Sequence, residues 1–213
     1  MKSRALRLDI PALVALPVLY VLLAFALRLP VGQLPSLSAI SLPYLFNGFL
    51  ASWGERFYFN GHPGMPLTLF VALFLRIWHF FQAGGQPFTQ NFFLDRHEEI
   101  LTFVTTVIPL LNACMLFTFG LLARRKFSLR QVVVAQALFF LSPRVLSLST
   151  HLRPEALSVS LACLNTLLLL GILSPRILPT FLATLVALKH TYGIYLVELL
   201  LLKKWWKILA GLA

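Results

Sequence analysis

The hydrophobic positions of this chain are grouped into long, nearly uninterrupted runs, with short polar groups between them. A helix needs about 20 apolar residues to cross the hydrocarbon core of a bilayer. Runs of that order extend over residues 10–29, 100–122, 132–148 and 156–173. The pattern therefore predicts three or four membrane-spanning helices. The first run has the position of a secretory signal, but no small-residue cleavage site precedes Pro30, so we expect an uncleaved anchor.

Composition supports this membrane interpretation. Hydrophobic residues make up 59% of the 213 residues and charged residues only 12%, too few to cover a globule in water. The formal net charge of +11 comes from short basic groups between apolar runs, which are typical of topology signals and not of a nucleic-acid-binding stripe. Cys114 and Cys163 lie inside apolar runs, so we expect neither a disulfide nor a metal site.

The apolar segment 66–81 is short, and the distribution of basic residues decides its role. If it crossed the membrane, the two basic groups near residues 2–7 and 124–130 would lie on opposite sides, against the positive-inside rule. We therefore predict an amphipathic helix along the interface, within one large external loop over residues 30–99. The sequence predicts an all-α polytopic transmembrane helical bundle, a single membrane domain over residues 1–213, with a large external first loop that carries interfacial helices.

The C-terminal run 177–202 is interrupted by Lys189, His190 and Thr191. Two short helices could dip to a shared external apex, or one kinked span could bury Lys189 and His190 at its centre. A Lys at the centre of a span costs about 3 kcal/mol, so in either geometry it should face protein, water or a ligand phosphate.

Two polar groups fall on the external side of this topology. The segment 57–67, FYFNGHPGMPL, contains His62 between Gly and Pro, a pattern that an ordinary reverse turn would also produce. The turn 150–155 contains His151, Arg153 and Glu155, and His151 and Glu155 could share one helical face at i, i+4. Two ligands are too few for a metal site. An alternative is that Arg153 anchors at lipid headgroups while Glu155 interacts with a helix dipole.

The order of these features resembles the N-terminal part of the GT-C membrane glycosyltransferases, of the protein mannosyltransferase and aminoarabinose transferase types. The similarity rests on five short motifs: YLFNG at 44–48, GHPGMPL at 61–67, LLARRKF at 121–127, RPEAL at 153–157 and LKHTY at 188–192. In that family the stretch after the His-Pro motif forms an interfacial helix.

The resemblance implies an inverting transfer of a sugar from a polyprenyl-phosphate donor to an acceptor at the external face. We expect no cofactor and no metal. Lys189, Arg153 and His190 are the candidates for binding the donor phosphate. Tyr44 and His62 would belong to the substrate loop. Glu155 is the first candidate for general base and Glu55 the second. We expect a multi-pass protein of a bacterial inner membrane, with membrane lipid as a partner and the N-terminus in the cytoplasm.

Two departures from the family favour an alternative. Residues 36–44 contain no carboxylate, although family members usually place an acidic base there, and the chain ends where another span would begin. We therefore expect the N-terminal part of a longer module. The alternative function is a non-catalytic, degenerate or truncated, membrane protein that acts as a scaffold or subunit.

Overall fold

The computed structural model describes residues 2–28, 35–55, 65–82, 84–139 and 143–173, and every regular element in these ranges is helical. The all-α prediction is therefore confirmed for this part of the chain. The elements in chain order are α1 (Lys2–Ala26), α2 (Pro35–Ser52), α3 (Met65–Gln82), α4 (Gln90–Asp95), α5 (His97–Ala123), α6 (Leu129–Leu138), α7 (Pro143–Leu148), the 3-10 turn Pro154–Leu157 and α8 (Ser158–Leu169).

Among the described residues, two helices are long and apolar enough to cross a bilayer, α1 over Asp9–Ala26 and α5 over His97–Ala123. Both correspond to predicted spans. The predicted span 132–148 is not one continuous helix, because α6 ends at Leu138 and α7 begins at Pro143. A proline disfavours helical geometry in the residue before it, which is consistent with a break here. The fourth run contains the 3-10 turn followed by α8, a helix of only 12 residues.

Helices α1 and α5 lie side by side and run in opposite directions. The Arg124 Nε atom donates to the Asp9 Oδ2 atom at 2.6 Å, and this ion pair joins the start of α1 to the end of α5. At the other end of the pair, Arg28 just beyond α1 donates to the Thr105 hydroxyl at 2.6 Å, near the start of α5. The chain segment between the two helices therefore begins and ends at one end of this pair.

A buried glutamine joins α6 to this pair of helices. Pro17 has no backbone N–H, so the Leu13 carbonyl one turn earlier lacks its helical donor. The Gln136 Nε2 atom donates to this carbonyl at 3.3 Å and to the Leu116 carbonyl at 2.9 Å. Gly120 permits this approach, since a Cβ atom there would lie 2.6 Å from the Gln136 Nε2 atom.

Helices α2 and α3 pack closely and advance in the same direction. Gly48 faces Val71 with no space for a Cβ atom, and one turn further along, the Arg76 Nε atom donates to the Ser52 carbonyl at 3.0 Å. The helix predicted over residues 66–81 is thus present as α3. Its orientation relative to a membrane stays a prediction.

Apolar side chains of the described residues form two clusters. One joins α2, α3, α4 and the first half of α5, and its aromatic centre is a stack of Phe49 on Phe93 with centroids 4.2 Å apart. The other joins α1, the second half of α5, α6 and α8. The first cluster lies beside the end of the α1–α5 pair at which Arg28 is found, and it supports the polar site described next.

Candidate functional site

Arg28 lies at one end of the α1–α5 pair and donates hydrogen bonds to three groups of α5. Its guanidinium donates to the hydroxyls of Thr106 at 3.1 Å and Thr105 at 2.6 Å, and to the Thr102 carbonyl at 3.5 Å. Burial lowers the pKa of Arg28 from its ordinary value. An arginine remains charged under such a shift, so the half-buried guanidinium supplies a fixed positive charge at this end of the bundle.

The turn that precedes the 3-10 helix brings His151 near this charge. The His151 Nδ1 atom lies 2.7 Å from the Ser147 carbonyl, which can only accept a hydrogen bond, so Nδ1 carries the proton. In the neutral ring the Nε2 atom is then an acceptor. Burial lowers the pKa of His151, and the positive charges of Arg153 and Arg28 lower it further, while the bond to Ser147 opposes the shift. His151 is therefore neutral at pH 7.

Arg153 is half-buried and incompletely bonded. Its Nε atom is buried and has no hydrogen-bond partner among the described residues. A buried donor without a partner loses its interaction with water, at a cost of about 1–3 kcal/mol. The described residues therefore leave part of the hydrogen-bonding capacity of Arg153 unused.

Tyr44 of α2 connects this turn to the apolar cluster of α2, α3 and α4. It is buried, and Glu155 and Arg153 lie close enough for their charges to act on its phenol. Burial raises the pKa of Tyr44, the Glu155 carboxylate raises it further, and Arg153 opposes them, so Tyr44 is a neutral hydroxyl that can donate or accept. Glu155 is the second residue of the 3-10 turn, after Pro154, and an acidic residue is favourable in the first turn of a helix.

These residues form one polar cluster, which we call the turn site: Arg28, Tyr44, His151, Arg153 and Glu155. Its two guanidinium groups and one carboxylate leave a net positive charge. A neutral histidine and a neutral phenol add groups that can exchange hydrogen bonds. This combination suits an anionic ligand that carries oxygen acceptors, together with a hydroxyl group that must lose a proton.

The structure brings together three of the side chains that the sequence proposed, Tyr44, Arg153 and Glu155. Glu55 is not among them: it lies in the exposed turn after α2, where its amide donates to the Leu50 carbonyl at 3.0 Å. The helix from Tyr44 to Ser52 alone rises about 12 Å, which separates Glu55 from the turn site. His62, Lys189 and His190 lie outside the described residues.

One local expectation is wrong. His151 and Glu155 do not share a helical face, because residues 151–153 form bends and the short 3-10 turn begins only at Pro154. The proline and the extended backbone of Arg153 prevent a continuous helix there. Within the described ranges, no group of three or more His, Cys, Asp or Glu residues is placed to hold a metal ion.

The sequence did not lead us to predict a role for two residues of this region, Arg28 and Asn112. Arg28 was counted within the first apolar run, although a single Arg just before Leu29 and Pro30 is a signal for the end of a helix. Asn112, inside the α5 run, has no exposed surface and makes four hydrogen bonds, to Tyr20, Ala156 and twice to Ser160. A lone Asn in a membrane-length run indicates an interhelical contact.

Comparisons of the chain with models of protein families, with curated proteins and with solved structures find no match. The function is therefore inferred from the residues of the turn site and from the resemblance to the GT-C glycosyltransferases.

Proposed function

We propose that this chain is an integral, multi-pass membrane glycosyltransferase that moves a sugar from a polyprenyl-phosphate donor to an acceptor at the external face. The observation that carries the proposal is the convergence of Arg28, Arg153 and Glu155, with Tyr44 and His151, at one end of two bilayer-length antiparallel helices. A cationic site at the membrane surface is where the phosphate of a lipid-linked donor would lie.

Charge distribution supports the orientation. The Asp9–Arg124 pair lies at the end of the bundle opposite the turn site, and Arg125 and Lys126 follow it directly. With this basic end in the cytoplasm, as in a bacterial inner membrane, the turn site faces outward. Helix α3 would lie at that outer interface, and its exposed side includes Leu69, Leu73 and Phe80, which are 54%, 57% and 80% exposed.

Four residues of the turn site have a role in this reaction. Arg28 and Arg153 would neutralise the departing phosphate oxygens, assisted by Lys189 and His190. Glu155 would accept the proton of the acceptor hydroxyl as that oxygen attacks the anomeric carbon, while the bond to the lipid phosphate breaks. Tyr44 and His62 would position the substrates, and Glu55 is the second candidate for the base.

A scaffold function remains the alternative, and one observation favours it. Residues 36–44 contain no carboxylate, so Tyr44 has no acidic residue preceding it on α2. A membrane protein that lost the acceptor base could keep the packing of the turn site as the surface for another subunit.

Transfer and binding assays on the purified full chain separate these functions. Arg153→Met should weaken binding of a polyprenyl-phosphate sugar about ten- to a hundredfold, since a charge-assisted hydrogen bond contributes about 1.5–3 kcal/mol. Glu155→Gln should retain binding and lower transfer of a radiolabelled sugar about 100- to 10,000-fold. Arg125→Met, an exposed arginine at the opposite end of α5, is the matched control.

If the wild-type chain binds no member of a panel of polyprenyl-phosphate sugars, or if Arg153→Met and Arg125→Met bind alike, the enzyme assignment is wrong. Binding that is intact while Glu155→Gln transfers at the wild-type rate would remove Glu155 from the mechanism and direct attention to Glu55.

A further inference from the structure

A cavity of about 280 Å³ lies where the end of α5 meets α6 and α8. Aromatic and aliphatic side chains form most of its wall, and its two polar lining residues are Gln131 and Thr166. Gln131 and Leu170 of this lining are exposed, so the cavity opens at the surface of the bundle. Its volume lies just below the range of about 300–1,000 Å³ that is usual for whole small ligands. The cavity is therefore of a size to hold one part of a larger molecule.

The cavity lies at the end of the bundle opposite the turn site. Its lining residue Phe127 accepts a hydrogen bond of 3.0 Å from the guanidinium of Arg124, which also pairs with Asp9. Between Thr105, which contacts Arg28, and Arg124, helix α5 rises about 28 Å. This distance is close to the thickness of about 30 Å of the hydrocarbon core of a bilayer. A ligand of this cavity is therefore not a ligand of the turn site.

Lys126 places a cation at the rim of the cavity. Its Nζ atom donates to the Leu170 carbonyl at 3.2 Å and to the Gly171 carbonyl at 3.0 Å, and Leu170 lines the cavity. An ammonium group has three N–H donors, so these two bonds leave one for a further acceptor. Lys126 is exposed, and a ligand can reach it from outside the bundle.

Two further cations at this end have no carboxylate partner. Arg125 and Arg130 are exposed, and Arg130 directly precedes the lining residue Gln131. Among the described residues, the one ion pair at this end joins Arg124 to Asp9, and the sequence contains no acidic residue between Glu99 and Glu155. The mouth of the cavity therefore has an excess of positive charge next to an apolar interior.

The exposed side of α6 is typical of a surface in contact with lipid. Arg130, Val134 and Leu138 follow one another at intervals of four and so share one face of the helix. Val134 is 53% exposed and Leu138 is 68% exposed, so this face is apolar beyond its single arginine. An arginine at the end of an apolar face can extend its guanidinium to the headgroups of the bilayer. The cavity mouth thus adjoins a face that suits acyl chains, with cations at headgroup level.

We propose that this cavity and the cations Lys126, Arg125 and Arg130 form a binding site for an anionic phospholipid of the cytoplasmic leaflet. Part of one acyl chain would occupy the cavity, and the phosphate would lie beside Lys126 and Arg130. Basic pockets between helices on the cytoplasmic side of a membrane are typical sites of anionic headgroups. The leaflet follows from the membrane orientation in the proposed function, whereas lipid binding itself does not depend on sugar transfer. The bound lipid would join the α5–α6 turn to the end of α8.

Photocrosslinking on the purified full chain in detergent tests this site. The probe is phosphatidylglycerol with a diazirine in one acyl chain. We expect crosslinks to peptides that contain residues 119–135 and 166–170. Unlabelled phosphatidylglycerol should displace the probe, whereas phosphatidylcholine with the same acyl chains should not, because its headgroup has no net charge.

Obstruction of the cavity and removal of its cations are separate tests. Ala135→Phe and Thr166→Phe should each lower the crosslinked yield about tenfold, as expected when roughly two methylene groups lose their burial. Leu138→Phe is the matched control, since Leu138 is exposed on the same helix and does not line the cavity. Lys126→Met and Arg130→Met should each weaken binding about fivefold.

A charge control and the possible outcomes complete the experiment. Arg96→Met, at the opposite end of α5, should bind phosphatidylglycerol as the wild type does. Crosslinks at another surface, equal yields from Ala135→Phe and Leu138→Phe, or equal displacement by phosphatidylcholine would overturn the anionic-lipid site and leave the glycosyltransferase proposal standing. Crosslinking at the cavity by a chain that transfers no sugar would support the lipid site and count against the enzyme.

Discussion

The side-chain amide of Asn112 donates a hydrogen bond of 2.7 Å to the backbone carbonyl of Ala156, 44 residues further along the chain. The same side chain donates to the Tyr20 hydroxyl at 2.9 Å and accepts from the amide and the hydroxyl of Ser160. Asn112 therefore satisfies its two donors and two acceptor positions within a fully buried site. Through these bonds α5 fixes the 3-10 turn that carries Glu155.

Replacing Asn112 by alanine should reduce the free energy of unfolding by about 2–4 kcal/mol. The substitution leaves the Ala156 carbonyl and the Ser160 amide without their Asn112 partner, and each buried group left unsatisfied costs about 1–3 kcal/mol. Thermal unfolding in detergent measures the loss. Thr118→Val is the control on the same helix, since among the described residues the Thr118 hydroxyl bonds only to the Cys114 carbonyl of its own helix. Equal losses in both variants would contradict a role for Asn112 in holding the turn.

Gly120→Ala should destabilise the contact between α5 and α6. The new methyl group would lie 2.6 Å from the Gln136 Nε2 atom, and overpacking of this kind costs about 1–3 kcal/mol. A double-mutant cycle with Gln136→Ala tests whether the clash with Gln136 causes this loss of stability. If the clash is the cause, Gly120→Ala should cost little in the Gln136→Ala background. Additive losses would instead indicate that Gly120 is required by the backbone of α5.

The sequence predicted the helices that can be recognised from the length and the apolar composition of a run of residues. Helices α1 and α5 and the helical segment α3 follow from runs of hydrophobic residues, which any packing arrangement must place away from water. The break between α6 and α7 was missed, because residues 132–148 are apolar throughout most of their length and only Pro143 indicates an interruption. A single proline within an apolar run is compatible with either a kinked helix or two helices.

The turn site was predicted only in part, for a physical reason. Arg153 and Glu155 are two residues apart in sequence and could be found together, whereas Arg28 and Tyr44 reach this turn through packing between elements that are distant in sequence. The His151 tautomer likewise depends on the Ser147 carbonyl, and a sequence contains no information on which way that carbonyl points. Long-range partners of this kind are determined by tertiary contacts, which single-sequence periodicity does not reveal.

Protonation of His151 should destabilise the fold at mildly acidic pH. Its pKa in the folded state is lowered from the ordinary value of 6.5, so near that pH the unfolded chain binds more protons than the native chain. Stability should therefore fall as the pH decreases through 6.5, and the full loss is reached below the lowered pKa. In thermal unfolding at pH 7.5 and pH 5, we expect His151→Gln, which does not titrate, to lose less than the wild type. Identical losses would mean that His151 does not contribute.

Cysteine accessibility tests the external position of the segment between α1 and α5. In a background with Cys114 replaced by alanine, cysteines at Gly61 and Gln90 should both react with a membrane-impermeant maleimide added to intact cells, whereas a cysteine at Ser128 should react only after the cells are permeabilised. The reason is the distribution of charge, because Ser128 follows the basic residues 124–126, which the positive-inside rule places in the cytoplasm. With that orientation, α3 lies along the outer interface without crossing the membrane. Opposite labelling of Gly61 and Gln90 would show that α3 spans the membrane. Labelling of Ser128 from outside would show that α5 has the opposite orientation. The turn site would then lie on the cytoplasmic side, away from the external face at which we propose that it acts.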